Sequence, residues 1–119
     1  MKSTIFGLFA ITMLSGCTQL QEHKFKQAAH KRLDDVLNDS ESARFKNERV
    51  VWESGSDISM TLCGQINAKN RMGAYVGWRR FYANGILVDG ESMIFDVSID
   101  TEDDYTPFFN TSRKKYCND

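Results

Sequence analysis

The 119-residue chain carries 15 Lys and Arg against 16 Asp and Glu, a formal net charge of −1. That length supplies one hydrophobic core and not two. The near-balance of charge points to neither nucleic acid nor an anionic membrane face as a partner.

Met1 and Lys2 give a short positive start, and the apolar run from Ile5 to Leu14 matches the central region of a secretory signal. It is about half the roughly 20 residues needed to span a bilayer. The run ends in Leu14-Ser15-Gly16-Cys17, which resembles the lipobox of bacterial lipoproteins. The resemblance implies a diacylglyceryl group on the Cys17 sulfur, cleavage after Gly16 and acylation of the new amine. Residues 1–16 are then a leader, 17–22 a lipidated tether and 23–119 a single domain. Each buried methylene contributes about 0.8 kcal/mol, and two or three chains together make a lasting anchor. Thr18, rather than Asp, follows the cysteine, which in Gram-negative bacteria implies sorting to the outer membrane. The alternative is an ordinary signal peptide that leaves Cys17 a free thiol. Two features oppose it: Cys17 directly follows the apolar run, and the other two cysteines already make an even pair.

Without its leader the chain has 103 residues, with 14 basic and 16 acidic side chains, a net charge of −2. Cys63 and Cys117 are expected to form a disulfide in an oxidising compartment, closing a loop of 54 residues. A reactive thiol or metal pair is the rival reading, opposed by the absence of C-x-x-C spacing.

Along the domain, Phe25, Ala29, Leu33, Val36 and Leu37 recur at three- and four-residue steps and predict an amphipathic helix ending near Leu37. Asp39 or Ser40 is placed to cap a second short turn through Ser42, Ala43 and Phe45. From Glu48 the period changes to two. Strands are predicted near 49–53, 58–66, 74–82, 86–88 and 93–99, with a first turn at Ser54-Gly55-Ser56-Asp57. Asn84-Gly85 or Asp89-Gly90 supplies tight hairpin turns. Linkers this short leave no room for crossover helices. The expected fold is therefore α+β, an N-terminal amphipathic helix packed on a small, mostly antiparallel sheet of four to five strands, with one disulfide. Thr101 to Asp104 reads as exposed, and Tyr105, Pro107, Phe108 and Phe109 as aromatic and apolar surface to be buried.

Two stretches carry a second resemblance. Asp39-Ser40-Glu41-Ser42-Ala43-Arg44-Phe45 is similar to a pattern Asp-Pro-x-Ser-Ala-x-Phe, with Ser40 in place of Pro. Cys63-Gly64-Gln65-Ile66-Asn67-Ala68-Lys69-Asn70, continuing through Gly73-Ala74-Tyr75-Val76-Gly77-Trp78 to Phe81, is the more specific match. Together they resemble a family of small secreted and lipid-anchored bacterial proteins, many of them encoded by phages or prophages. The resemblance implies a shared fold and no established activity.

Two readings of the second stretch stand side by side. Asn67, Lys69, Asn70, Tyr75, Trp78 and Arg79 form a recognition surface, because aromatic and Arg side chains dominate binding hot spots. Or they form a structural hairpin whose asparagines bond to backbone and whose aromatics fill the core, the favoured reading. In a regular strand Tyr75 and Trp78 would face opposite sides.

His23 and His30 are read as solvated helix residues, roughly 10 Å apart along the axis and so unable to share one metal. Asp100, Glu102, Asp103 and Asp104 lack the spacing of a calcium loop and read as solvated. No catalytic triad or paired-carboxylate cleft is indicated, so no enzyme activity, cofactor or metal is expected beyond the lipid on Cys17. The expected role is a non-catalytic binding module at the cell envelope, contacting an envelope, phage or toxin protein, as in superinfection exclusion or toxin immunity. A structural or assembly lipoprotein of the outer membrane is the alternative, and a small hydrolase a third.

Overall fold

The computed structural model describes residues 12–37, 43–70, 72–102 and 105–118, and of residues 12–17 the backbone path alone. Its elements are α1 (Thr12–Val36), β1 (Arg44–Trp52), β2 (Ser59–Asn67), β3 (Arg79–Val88), β4 (Glu91–Ile99) and α2 (Thr106–Cys117). The four strands form one sheet in the order β1-β2-β3-β4, antiparallel throughout. The fold is α+β, with α1 on one face and α2 on the other. Among the described residues no helix is long and apolar enough to cross a membrane.

The α1 stripe accounts for its docking. Phe25, Ala29 and Leu33, four residues apart, are fully buried against Met60, Leu62, Ile66, Phe81, Ala83 and Leu87 of β2 and β3. Val36, assigned to that stripe from sequence, is instead exposed. The helix also begins earlier than expected. Residues 18–22, read as a tether, are helical and continuous with the docked part. The leader before Thr12 and the Asp39 or Ser40 cap lie outside the described residues; Phe45, assigned to the turn after that cap, is in β1.

Two corrections concern the strands. The predicted break at Asn84-Gly85 is absent, and β3 runs unbroken through it. Gly85 is needed for close approach: a Cβ there would lie 2.2 Å from the Met93 carbonyl oxygen and 3.0 Å from the Phe25 ring. The hairpin turn is Asp89-Gly90, where both residues have positive φ, 53° and 79°, as a type I′ turn requires. Residues 74–78, predicted to begin a strand, belong to the β2–β3 connection.

Each edge strand carries an irregularity. Asn47 and Glu48 of β1 together oppose Gly64, and Phe95 of β4 is the extra residue between the Asn84–Asp96 and Gly85–Ile94 pairs. The β1 bulge re-aims a side chain. Phe45 faces α1, and the extra residue lets Glu48 face it too, where Glu48 pairs with His30 and lies 3.5 Å from Lys26 Nζ. The His30 ring stacks on Phe45 with centroids 3.8 Å apart. His30 is therefore a packed residue, not the solvated one the sequence suggested, whereas His23 is exposed.

The C-terminal helix α2 was not anticipated. Pro107 stands in its first turn, Lys114 and Lys115 in its last, and Asn118 closes it in the left-handed conformation. Of the surface expected to be buried, only Phe109 is; Tyr105 and Phe108 are 72% and 73% exposed. Phe109 and Tyr116 pack on Tyr82, and the Cys63–Cys117 disulfide, with Cα atoms 6.1 Å apart, ties the end of the helix to β2.

Candidate functional site

The β2–β3 connection, residues 68–78, is shaped by two asparagines. Asn70 Oδ1 accepts from the Met72 and Ala74 amides at 2.9 and 3.2 Å, and the Asn70 amide donates to the Ala74 carbonyl at 2.8 Å. Asn67 Oδ1 accepts from the Gly77 amide at 3.1 Å. Lys69 and Tyr75 make an isolated antiparallel bridge. Gly73 and Gly77 have φ of 82° and 98°, which fold the chain back where an extended strand was predicted. The asparagines thus bond to backbone as the structural reading has it, but the aromatics do not fill the core.

Tyr75 and Trp78 instead meet cations. Arg44 Cζ lies 4.4 Å and Lys69 Nζ 5.5 Å from the Tyr75 ring centroid, and Lys46 Nζ lies 4.2 Å from that of Trp78. Phe45 turns inward beneath His30, so its neighbours Arg44 and Lys46 stand on the sheet face away from α1. Both rings therefore lie on one side, and the opposite-face expectation fails because residues 74–78 are not a strand. Cation–π contacts of this kind are worth about 0.5–1 kcal/mol at exposed sites. Trp78 is 36% and Met72 92% exposed, and Val76 is exposed as well. The cluster unites Lys69, Tyr75 and Trp78 with Arg44 and Lys46, two residues that sequence reasoning missed.

Arg79 belongs elsewhere. Its guanidinium donates to the Asp100 carbonyl at 3.3 Å. Next to it, Arg80 donates to Asp100 Oδ2 at 2.8 Å and to Asn110 Oδ1 at 2.5 Å, while Thr106 Oγ1 and the Glu102 amide donate to Asp100 Oδ1. Asp100 is buried, so the solvated reading of it is corrected; residues 103 and 104 lie outside the described residues. Burial pushes its carboxyl up, but the donors from Arg80, Glu102 and Thr106, with the Arg80 charge, outweigh it and hold the pKa below the ordinary value of 3.8. This node fastens the start of α2 to the end of β4.

A carboxylate whose pKa falls on folding adds stability that is complete above its unfolded value and disappears as pH drops through the folded one. Asp34 on α1 acts oppositely: burial chiefly raises it, His30 opposes and Asp35 adds. Urea unfolding of Asp100→Asn beside the parent is expected to show a constant deficit from pH 7 to about pH 5. That deficit shrinks below pH 3.8, the ordinary value of the carboxyl. A gap unchanged at pH 2.5 would show that the carboxylate charge contributes nothing.

On the face away from α1, near Val51, Thr61, Phe95 and Tyr116, a groove of about 500 Å³ opens at the opposite end of the sheet from the cluster. Among the described residues no three His, Cys, Asp or Glu side chains are grouped to hold a metal ion. Compared with known proteins, the chain matches no family model, no curated sequence and no solved structure.

Proposed function

We propose that this chain is a bacterial lipoprotein, anchored through Cys17 at the outer membrane, that acts as a non-catalytic binding module of the cell envelope. The observation that carries the binding reading is the cluster of Arg44, Lys46 and Lys69 around Tyr75 and Trp78. In it Arg44, Lys46 and Trp78 are exposed and Lys69 and Tyr75 half-buried, and the loop is shaped by the Asn67 and Asn70 backbone bonds. Tyr, Trp and Arg are the side chains that dominate recognition surfaces. The Leu-Ser-Gly-Cys sequence supports the anchor, and the resemblance to phage-linked envelope proteins supports an incoming phage component or toxin as partner.

Producing the lipoprotein in a sensitive host and challenging it with a broad panel of phages and bacteriocins is expected to reveal protection from at least one agent. Trp78→Ala is expected to remove that protection while the protein level stays unchanged. Unaltered susceptibility across the panel, together with detergent sensitivity on deletion, would transfer the assignment to an assembly role. Mass spectrometry of the processed chain checks the anchor: an unacylated Cys17, or its loss, rejects it.

A further inference from the structure

Ile94 and Val97 of β4 both pack on the main core, toward α1. In an unbroken strand they would face opposite sides of the sheet. The extra residue of the β4 bulge lets both turn inward, and it leaves Phe95 and Asp96 side by side at the groove on the other face, each exposed.

The strand register sets a row across the groove floor. Val51, Thr61, Asn84 and Asp96 are paired neighbours from β1 to β4, with adjacent strands about 4.8 Å apart. Thr61, which is buried, donates to Asn84 Oδ1 at 2.6 Å. That bond commits the amide oxygen and leaves Asn84 Nδ2 to donate, next to an Asp96 carboxylate that can only accept. Among the described residues neither Nδ2 nor that carboxylate has a hydrogen-bond partner. Tyr116 closes the α2 side: it packs on Tyr82, and the neighbouring Cys117 is bonded to β2. At about 500 Å³ the groove has the size of small-molecule sites, roughly 300–1,000 Å³.

Its lining discriminates between ligand chemistries. The charged side chains around it are Glu53, Asp96 and Lys115. An anion meets the two carboxylates. A cation is drawn to them but meets Lys115, whose Nζ lies 5.3 Å from the Tyr116 ring centroid and already occupies that aromatic wall. A wholly apolar ligand would strip water from Asn84 and Asp96 without replacing its hydrogen bonds. The chemistry that meets all three conditions is neutral, with an apolar face for Phe95 and adjacent hydroxyls that both donate and accept. A sugar ring has both.

We propose that this groove is a saccharide-binding site, in which Phe95 stacks on the C–H face of a neutral sugar, Asn84 Nδ2 donates to one ring hydroxyl and Asp96 accepts from the next. The site is separate from the 68–78 loop and stands whether or not that loop binds a protein partner.

The test is saturation-transfer NMR on the purified, disulfide-bonded chain in a non-glycosidic detergent, titrated with glucose, N-acetylglucosamine, cellobiose and chitobiose beside the charged analogues glucuronic acid and glucosamine. At least one neutral sugar is expected to bind, and its charged analogue to bind more weakly. Phe95→Ala and Asp96→Ala are each expected to weaken that sugar roughly tenfold, whereas Phe95→Tyr retains the affinity. Phe108→Ala removes an exposed ring outside the groove and is expected to change nothing. Phe95 and Asp96 are exposed, and unchanged urea midpoints confirm intact folds. Absence of binding by every neutral sugar overturns the proposal, as does binding indifferent to Phe95 and Asp96. A charged analogue that binds more tightly than its neutral parent overturns the neutral class. Tetramethylammonium binding that Phe95→Ala abolishes, without sugar binding, assigns the groove to a cation and overturns the proposal.

Discussion

Reducing the Cys63–Cys117 disulfide, or replacing both cysteines by Ala, is expected to lower the unfolding free energy by about 4 kcal/mol. The cross-link joins positions 54 residues apart, so cutting it restores to the unfolded chain the freedom of a long loop. The loss falls unevenly on the folded state. Within α2 only Phe109 and Cys117 are buried, and with Tyr116 they form a small cluster on Tyr82, separate from the main core. Without the bond, that patch and the Asp100 node must hold the helix alone. Urea unfolding with and without dithiothreitol measures the total. Amide exchange locates it: protection in residues 106–117 should fall far more than in β2 and β3. Protection that falls equally everywhere would mean the helix does not detach on its own.

Phe25→Ala is expected to cost about 4 kcal/mol, within the 3–5 kcal/mol found for buried Phe truncations. Phe25 is fully buried and reaches over Gly85, where no side chain can enter because the Met93 carbonyl closes the space. Phe108→Ala is the control. That ring is 73% exposed, so its loss should stay within about 0.5 kcal/mol. Equal costs for the two variants would contradict the placement of α1 on the sheet.

How much of this was legible in the sequence depended on whether the pattern repeated. Phe25, Ala29 and Leu33 recur at a helical period and were read correctly as the face of α1. The Asp89-Gly90 turn was legible because two successive positive φ values demand such residues. The strand predicted from Ala74 failed on local chemistry: Asn67 and Asn70 bond to the following backbone and two glycines adopt positive φ, which alternation of apolar residues does not report. Helix α2 has Phe109 and Cys117 eight positions apart with mostly polar residues between, too sparse a stripe to find. In the candidate site, Lys69, Tyr75 and Trp78 were identified, but Arg44 and Lys46 were not. They come from a strand more than twenty residues away, and only the β1–β2 register, pairing Arg44 with Asn67, brings them there.

The two bulges on the outer strands have a further effect. Each interrupts the even spacing of outward N–H and C=O groups near the middle of its strand, at Asn47–Glu48 on one side and Phe95 on the other. A stray extended peptide finds only a few consecutive ladder positions before its register is thrown off. Crowded molecules of this protein thus gain little by stacking backbone on backbone, and fibre growth from either flank is discouraged without any need for a protective lid.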